Sequence, residues 1–312
     1  MAVNAIEIDH VTKSFGKFRA VDDLSLAVPS GTIFGLLGPN GAGKTTTIRM
    51  IMDITAPDTG TIRVLGALSS RETLSRVGYL PEERGLYRRM RVIDHLLFLG
   101  AIKEVPADVA RKRIGEWLDV MELKPWLNRK VDELSKGMQQ KIQFIATIIH
   151  DPDILILDEP FAGLDPINVN LVKTFLMDFR TKGKTIVFST HVLEQAEKLC
   201  DTICLISKSR KILDGNLRDL KKSYSADVVR ITTDAPEEIL KGLPGVVSVQ
   251  AVNGGWHVGL APGADPRPMI QRLFETHRVD AFSEKEADLE EIYLRAVAAA
   301  GIEDPRFTGE VR

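Results

Sequence analysis

Apolar and polar residues alternate at residues 6–11 and 24–28, and this period of two predicts strands of an antiparallel sheet with one exposed face. Three short apolar runs without alternation, at 33–37, 154–157 and 185–189, are typical of strands that are buried on both faces of a parallel sheet. Stretches with helical spacing separate these runs. The pattern therefore predicts an α/β protein in which helices cover both faces of a mainly parallel sheet.

Weaker signals complete the first part of the chain. Helical spacing predicts that residues 90–150 are mostly helical and that further helices occupy 46–54, 168–180 and 192–199. Short apolar runs predict additional strands at 63–65, 77–80 and 202–206.

The chain changes character near residues 221–226. Beyond this point the pattern predicts the order β-α-β-β-α-β, with a hairpin turn at the Asn-Gly-Gly of residues 253–255 and a last helix capped by Asp288. The predicted strands are 228–232, 246–252, 256–260 and 279–282, and the predicted helices are 236–240, 267–277 and 288–300. This order indicates a ferredoxin-like split β-α-β unit. We therefore expect two domains, residues 1–222 and a small α+β domain at residues 223–312.

Charge and cysteine content narrow the classes of function. The formal net charge of the 312 residues is only −2, so no overall basic field indicates a nucleic-acid partner. Residues 1–222 carry 32 Lys and Arg against 28 Asp and Glu, whereas residues 223–312 carry 9 against 15, which makes the second domain acidic. Cys200 and Cys204 have no second Cys or His pair nearby, so we interpret them as core residues rather than metal ligands.

No stretch of the sequence predicts a membrane span. The longest apolar runs, such as 142–149, are far shorter than the ~20 residues needed to cross a bilayer. The acidic residues near the N-terminus are not typical of a signal peptide. If the protein moves a substrate across a membrane, we expect another chain to provide the path.

Residues 38–45 fit the pattern G-x-x-x-x-G-K-[ST] between a predicted strand and a predicted helix. Glycines let the backbone wrap closely, so that its N–H groups point at phosphate oxygens, and the helix N-terminus adds a favourable dipole. Lys44 is expected to reach the β- and γ-phosphates and Thr45 to hold Mg²⁺. A glycine-rich turn is the alternative, which the flanking strand and helix disfavour. The expected nucleotide-binding residues are Gly38, Pro39, Asn40, Gly41, Ala42, Gly43, Lys44, Thr45 and Thr46.

Two carboxylates, Asp158 and Glu159, follow the buried apolar run 154–157. Ligands of open α/β sheets bind at this carboxyl end of the strands. Asp158 is expected to hold Mg²⁺ through water, and Glu159 to polarise the water that attacks the γ-phosphate. An acidic pair after a strand often only caps a helix or lies in a turn, but the phosphate loop in the same chain favours catalysis.

Further motifs occur in a fixed order along the chain. Residues 134–140 (Leu-Ser-Lys-Gly-Met-Gln-Gln), 162–165 (Ala-Gly-Leu-Asp) and 189–191 (Ser-Thr-His), together with Phe15, resemble the signature, the D-loop, the switch histidine and the adenine-stacking residue of the ATP-binding cassette (ABC) family. The resemblance spans residues 3–222. It implies a P-loop NTPase cassette with a mainly parallel core sheet, an antiparallel β subdomain and a helical subdomain at about 83–150.

This resemblance also implies a chemistry shared between two protomers that bind ATP and Mg²⁺. Phe15 would stack on adenine, and His191 would contact the γ-phosphate unless it only belongs to a helix N-cap region. Ser135 and the backbone N–H of Gly137 would donate to the γ-phosphate bound by the opposite protomer. The implied catalytic residues are Lys44, Glu159 and His191, and the implied assembly is a head-to-tail dimer of cassettes, expected to be a homodimer.

Three positions depart from the family pattern. Lys136 and Met138 stand where the signature usually has Gly and Gln, and Glu82 stands where the Q-loop usually has Gln. Glu82 is expected to approach Mg²⁺ as a further oxygen ligand. These departures, with the run Leu-Pro-Glu-Glu-Arg-Gly-Leu-Tyr at 80–87, resemble ABC ATPases that pair with ABC-2-type exporters, including sodium-exporter and drug-resistance ATPases. The resemblance implies a cytoplasmic motor that is held on the inner face of the cell membrane only through a transmembrane permease subunit.

Several points stay open at the level of sequence. The basic run of Arg84, Arg88, Arg89 and Arg91 is either a solvated surface or a docking face for the permease. A soluble ABC ATPase that acts on nucleic acid or ribosomes is an alternative function, although such proteins usually carry two cassettes or a long coiled coil. A cassette that uses ATP only as a switch is another, which the intact catalytic residues disfavour. The second domain could regulate hydrolysis, extend the dimer interface or bind a ligand, and the transported substrate is undetermined.

Overall fold

The computed structural model describes residues 4–83, 85–224, 228–252, 254–261, 264–284 and 287–301. The chain forms two compact units, of which the first comprises residues up to Leu217 and from Ala296 onward, and the second is Arg218–Arg295. The boundary expected at residue 222 lies inside a helix, Leu217–Tyr224. Only Leu217 of this helix is buried, and its polar sequence therefore resembles a linker.

The first unit contains two sheets with helices between their strands. Its strands are β1 (Asn4–Phe15), β2 (Phe18–Pro29), β3 (Ile33–Leu37), β4 (Thr59–Val64), β5 (Ala67–Leu68), β6 (Val77–Leu80), β7 (Ile154–Asp158), β8 (Thr185–Thr190), β9 (Thr202–Ser207) and β10 (Arg210–Asn216). Its helices are α1 (Lys44–Ile51), α2 (Arg71–Ser75), α3 (Val92–Ile102), α4 (Ala107–Val120), α5 (Lys136–Ile148), α6 (Pro166–Thr181) and α7 (Leu193–Leu199), and α8 (Leu217–Tyr224) follows.

The larger sheet has the order β10-β9-β3-β8-β7-β6 and is parallel except between β9 and β10. Every residue of β3, β7 and β8 is buried, as the uninterrupted apolar runs predicted. The smaller sheet has the antiparallel order β2-β1-β4-β5. One hydrophobic core, which includes Ile6, Leu24, Leu36, Ile48 and Ile156, connects both sheets with α1. The predicted α/β cassette with an antiparallel β subdomain is therefore confirmed.

Some element boundaries differ from the prediction because left-handed residues end the elements. The strand predicted at 63–65 begins at Thr59 and ends before Leu65, whose φ is +54°, and α1 ends well before the predicted residue 54, since Asp53 also has a φ of +54°. Strand β10 was not predicted. The turn before it, Lys208 and Ser209, has positive φ at both residues without glycine, so the usual hairpin signal is missing from the sequence.

Helices α3, α4 and α5 form the helical part of the first unit. Aromatic edge contacts hold it against α6, because the rings of Trp117 and Phe144 each lie 4.8 Å from the ring of Phe175 in nearly perpendicular orientation. The N-terminus of α5 is capped by Ser135 and that of α6 by Asp165, whose side chains accept from the backbone three residues on. No helix in the described ranges is both long enough and apolar enough to cross a bilayer.

The second unit is a four-stranded sheet with helices packed on one face. Its elements are β11 (Val228–Thr233), α9 (Glu237–Lys241), β12 (Val246–Val252), β13 (Gly255–Leu260), α10 (Arg267–Thr276) and β14 (Val279–Glu284), followed by α11 (Leu289–Ala299), which begins in this unit. The sheet order is β12-β13-β11-β14 with every neighbouring pair antiparallel, which is the arrangement of a split β-α-β unit. Asp288 caps α11 by accepting from the N–H of Glu291 at 2.7 Å, and Asn253 of the predicted turn lies outside the described residues.

Candidate functional site

The phosphate loop joins the carboxyl end of β3 to the N-terminus of α1. Gly38 and Gly43 have φ of +150° and +108°, and neighbouring backbone leaves no room for a side chain at either. A methyl group on Gly38 would lie 2.0 Å from the carbonyl oxygen of Ile206, and one on Gly43 would lie 2.4 Å from that of Ala20. These two positions therefore require glycine, and β2 and β9 support the loop from behind.

Lys44 is directed back along this loop. Its side chain is almost fully buried and donates to the carbonyl oxygens of Gly38 at 2.7 Å and Pro39 at 3.1 Å. Its Nζ atom also lies 3.8 Å from Oε1 of Glu159. The structure thus brings the predicted lysine and the predicted water-polarising carboxylate together.

Asp158, at the end of β7, has one satisfied and one unsatisfied carboxylate oxygen. The residue is 1% exposed, and Oδ1 accepts from the hydroxyl of Ser189 on the neighbouring strand β8. Oδ2 is buried without a hydrogen-bond partner among the described residues. Buried carboxylate oxygens are rarely left unpaired, so this atom suits a cation.

Mg²⁺ fits this environment. The described residues contain no cluster of three or more His, Cys, Asp or Glu side chains that could hold a metal alone. Nucleotide sites do not need one, because Mg²⁺ there is usually held by one or two protein oxygens together with phosphates and water. The hydroxyl of Thr45 and Oδ2 of Asp158 are the oxygens that would hold it.

Glu159 is held in an uncommon backbone conformation with a φ of +50°. Its N–H donates to both the carbonyl and the hydroxyl oxygen of Ser189 at 3.2 Å. Its Oε1 accepts from the backbone N–H of His191 at 3.1 Å and from the His191 ring Nδ1 at 2.8 Å, in the tautomer that carries the proton there. The carboxylate is therefore oriented from two sides, by His191 and by the ammonium group of Lys44.

A cavity of about 430 Å³ opens in front of these groups. It is lined by Phe18, Ala20, Asn40, Gly41, Ala42, Gly43, Lys44, Thr45, Thr46, Glu82, Glu159, Ala162 and His191. The structure therefore gathers the phosphate loop, Glu82, Glu159 and His191 around one space. Its volume lies within the range of small-molecule sites.

The expected adenine-stacking residue, Phe15, is not among the residues that line this cavity. Phe18 of the same hairpin does line it. Both phenylalanines are at least half exposed, and the ammonium group of Lys13 lies 5.6 Å from the centroid of the Phe15 ring. Both phenylalanines belong to the β1–β2 hairpin. Phe18 and Ala20 were missed by sequence reasoning, and only the alternation along β2, which puts residues 18 and 20 on one face, could have indicated them. Ala162 belongs to the segment that resembles the D-loop.

The predicted trans-acting residues, Ser135 and Gly137, do not belong to this lining. Ser135 caps α5 by accepting from the N–H of Met138 at 3.3 Å, and a side chain at Gly137 would meet open space. Gln139, which follows Met138, donates its side-chain amide to two carbonyl oxygens of the preceding loop, each at 3.1 Å. Gln139 thus orders this loop through hydrogen bonds that the side chain of Met138 cannot donate.

A groove of about 310 Å³ lies beside the loop that carries Glu82. Apolar side chains, among them Leu86 and Ile102, line it together with Lys103, Gln143 and His150. Burial lowers the pKa of Lys103, and burial together with the charge of Lys103 lowers the pKa of His150 to about 4.

Exposed aromatic and basic side chains lie in the same region of the chain. Tyr87 is half exposed and packs edge-on against Phe98 with 5.4 Å between ring centroids. Arg88 and Arg89 are exposed. Arg91 instead forms a two-pronged ion pair with Asp94 at 2.6 and 3.0 Å, and Arg84 lies outside the described residues.

Two family models match the chain. The model described as "ABC transporter" matches residues 21–162, and the model described as "ATP-binding protein DrrA1-3-like, C-terminal domain" matches residues 215–297. The first covers the phosphate loop, the signature and the Asp158–Glu159 pair. The second covers the whole of the second unit.

Whole proteins align along almost the full chain. The uncharacterized ABC transporter ATP-binding protein YhaQ of Bacillus subtilis is 39% identical over 294 residues, which are 94% of this chain and 99% of that protein. The Nod factor export ATP-binding protein I of Paraburkholderia xenovorans is 37% identical over 296 residues, which are 93% of this chain and 96% of that protein.

Solved structures share the fold of the first unit. One described as the ATP binding subunit of an ABC transporter has a TM-score of 0.67 at 27% identity and covers 70% of this chain and 93% of its own. The structure of cbiO1 from Clostridium perfringens, part of the cbiONQ transporter complex, has a TM-score of 0.61 at 24% identity and covers 70% and 90%.

Proposed function

Because the chain belongs to the ABC transporter family, as an ATP-binding subunit, we propose that it hydrolyses ATP with Mg²⁺ and thereby drives an exporter. The observation that carries this proposal is the approach of Lys44 Nζ to within 3.8 Å of Glu159 Oε1 on one cavity with the phosphate loop. A loop that only bound a nucleotide would not need a carboxylate held in this place.

Binding of the nucleotide is assigned to the loop and to Lys44. The backbone N–H groups of residues 40–46 and the N-terminus of α1 supply the positive end of peptide dipoles to the phosphates. Lys44 exchanges its contacts with Gly38 and Pro39 for the β- and γ-phosphate oxygens. Phe18 and Ala20 provide the apolar surface for the base, and Phe15 at the hairpin end extends it.

Magnesium, when bound, would offset the negative charge that develops on the phosphate oxygens during hydrolysis. Thr45 and Oδ2 of Asp158 would hold it, and the hydroxyl of Ser189 orients the Asp158 carboxylate by donating to Oδ1. Glu82 also lines the cavity, and its carboxylate would supply a further oxygen ligand to the metal.

Glu159 orients the attacking water and accepts its proton. The two hydrogen bonds from His191 fix the carboxylate. Nε2 of the same ring donates to the γ-phosphate only when both ring nitrogens carry a proton, because a neutral imidazole protonated at Nδ1 has only an acceptor at Nε2. Buried position and fixed orientation favour this role, because water alignment matters more than base strength in phosphoryl transfer.

A second copy of the chain completes the site. Ser135 and Gly137 lie at the N-terminus of α5 and outside the cavity lining, which is expected for residues that serve the opposite protomer. The open space at Gly137 allows close approach of another chain. ATP then holds two protomers head to tail, and hydrolysis releases them.

Phosphate release from ATP by the purified chain tests the catalytic proposal. The Lys44→Ala variant should lose activity, whereas Lys182→Ala, which removes an exposed lysine paired with Asp178 on α6, should keep it. Absence of Mg²⁺-dependent phosphate release from the wild-type chain would refute hydrolysis.

Mixing two inactive variants tests the shared site. In a heterodimer of Lys44→Ala and Ser135→Arg, one composite site retains both an intact phosphate loop and an intact signature. An equal mixture should therefore recover about a quarter of wild-type activity, given random pairing into symmetric dimers. No recovery would contradict a head-to-tail arrangement.

The partner of this dimer is proposed to be an ABC-2-type transmembrane permease, so that the protein lies on the inner membrane face through the permease alone. The export function named for the Paraburkholderia relative supports the direction. The groove near Glu82, with Tyr87, Arg88 and Arg89 nearby in the chain, supports a docking face for a cytoplasmic helix of the permease. Reversing the charge of Arg88 and Arg89 should abolish co-purification with the permease and spare basal ATPase activity; unchanged co-purification would favour a solvated surface.

A further inference from the structure

Helix α5 contacts the loop that carries Glu82 through one buried side chain, Gln143. This residue is 7% exposed, and its side-chain nitrogen donates to the carbonyl oxygens of Pro81 at 3.2 Å and Glu83 at 3.3 Å. Those two residues flank Glu82 in sequence. A single amide group therefore holds the backbone on both sides of a residue that lines the nucleotide cavity.

Residues 81–83 belong to no β-strand. Strand β6 ends at Leu80, and the next helix or strand among the described residues is α3, which begins at Val92. Both hydrogens of the Gln143 amide are used in the two bonds, which is the full donor capacity of that group. Loss of these two hydrogen bonds would leave the partly buried carbonyl oxygens of Pro81 and Glu83 without these donors, and unsatisfied buried polar groups cost free energy.

Gln143 also contacts the groove beside the Glu82 loop. It lines the groove of about 310 Å³ together with Pro81 and Leu86. The same side chain therefore contacts the groove on one side and the loop of Glu82 on the other. The helix it belongs to begins at Ser135, which is assigned above to the second protomer's nucleotide.

We propose that Gln143 is a positioning residue that fixes the Glu82 segment against the nucleotide cavity and thereby sets the affinity of the site for Mg²⁺ with ATP. The proposal rests on the proposed function, because it requires Glu82 to act on the bound metal. Gln143 touches neither metal nor nucleotide, so its effect passes through the backbone of residues 81–83.

The Gln143→Met variant tests this, because methionine keeps the length of the side chain and removes both donors. Amide hydrogen exchange of residues 82–86 in the nucleotide-free full chain should accelerate about tenfold, the equivalent of one to two lost hydrogen bonds. The Mg²⁺ concentration for half-maximal binding of a fluorescent ATP analogue should rise about fivefold, with a larger change in KM than in kcat.

Gln139→Met is the matched control. Gln139 lies on the same helix and also spans two carbonyl oxygens, those of Val131 and Leu134. Its loss should accelerate exchange in residues 131–138 and leave exchange in residues 82–86 unchanged. In a Glu82→Gln background, Gln143→Met should add little to the Mg²⁺ requirement, because both changes act through the same carboxylate.

Wild-type exchange at residues 82–86 and a wild-type Mg²⁺ requirement in Gln143→Met would overturn the proposal. Faster exchange with an unchanged Mg²⁺ requirement would overturn it as well, since the amide would then only order a loop. If Gln143→Met fails to fold, Gln143→Asn, which is too short to reach both carbonyls, gives the same two measurements. If the wild-type chain binds Mg²⁺-ATP but releases no phosphate, the proposal of hydrolysis fails, but the exchange and binding data still decide the role of Gln143.

Discussion

The ammonium group of Lys44 lies 3.8 Å from the carboxylate of Glu159, although the two residues follow different strands, β3 and β7. Both side chains are largely buried, so their attraction is screened less than that of a surface pair. Strand β8 lies between β3 and β7 and supplies Ser189, which binds both Asp158 and the N–H of Glu159. The relationship follows from parallel strands whose carboxyl ends meet at one edge.

Replacing Glu159 by Gln should separate binding from hydrolysis. The amide keeps the shape but cannot accept the proton of the attacking water, so phosphate release should fall by about 100-fold or more. ATP affinity should stay within a few-fold, and ATP should stabilise a dimer that size-exclusion chromatography detects. Retention of wild-type turnover would assign the water to another residue.

Gly43→Ala and Gly41→Ala should differ sharply although both glycines belong to the phosphate loop. Gly43 combines a φ of +108° with a carbonyl oxygen 2.4 Å from the added methyl group, whereas Gly41, with a φ of +78°, has no atom within 4 Å. The first variant should bind ATP about 100-fold more weakly. The second should lose only about 1 kcal/mol of binding free energy, from the strain of a left-handed backbone at alanine. Isothermal titration with ATP measures both, and equal losses would contradict the observed packing.

Glu82→Gln should raise the Mg²⁺ concentration that half-saturates ATPase activity by roughly three- to tenfold, because an amide oxygen is a weaker ligand for a hard cation than a carboxylate. Maximal activity at saturating Mg²⁺ should change less. If neither the rate nor the Mg²⁺ dependence changes, Glu82 does not act on the metal.

Met138→Gln, which restores the usual residue of the signature, should leave ATP-dependent dimerisation within about twofold of wild type. The reason is that Gln139 already holds the loop before α5 through two hydrogen bonds, each worth about 1 kcal/mol. A large gain in dimer affinity would show that Met138 weakens the signature.

His95 should make stability depend on pH below neutrality. It is fully buried, both ring nitrogens lack partners in the described part of the chain, and burial lowers its pKa from 6.5 to about 4. The unfolded chain therefore binds a proton at His95 below pH 6.5, whereas the folded chain binds it only below about pH 4. The free energy of unfolding falls as the pH drops through this window. The loss from this one group is about 2 kcal/mol at pH 5.

The His95→Phe variant keeps the ring and removes the titration. Urea unfolding at pH 7.5 and pH 5 should show that the variant loses about 2 kcal/mol less than wild type on acidification. At pH 7.5 the two proteins should be similar, because no hydrogen bond is lost. An identical pH dependence would mean that His95 is protonated in the folded protein.

Local patterns in the sequence were sufficient for most elements and for the phosphate loop. The apolar runs of β3, β7 and β8 are buried at every residue, and the glycines at positions 38 and 43 answer to steric needs of the loop that the motif already implies. Apolar spacing and the glycine motif are local features of the chain, although the atoms that exclude a side chain at these two glycines, the carbonyl oxygens of Ile206 and Ala20, come from distant strands. Local spacing therefore predicts the strands and the loop directly.

Contacts between distant segments were decided by the tertiary structure alone. The bond from Ser189 to Asp158 and the two bonds from the Gln143 amide join segments that are remote in sequence. The direction of the side chains on one hairpin decided that Phe18, and not Phe15, lines the cavity. The sequence determined which chemical groups are available and at which strand ends they lie. Packing of β8 between β3 and β7, and of α5 against the loop after β6, determined which of these groups meet, because hydrogen bonds over a few ångströms depend on the three-dimensional arrangement of the chain.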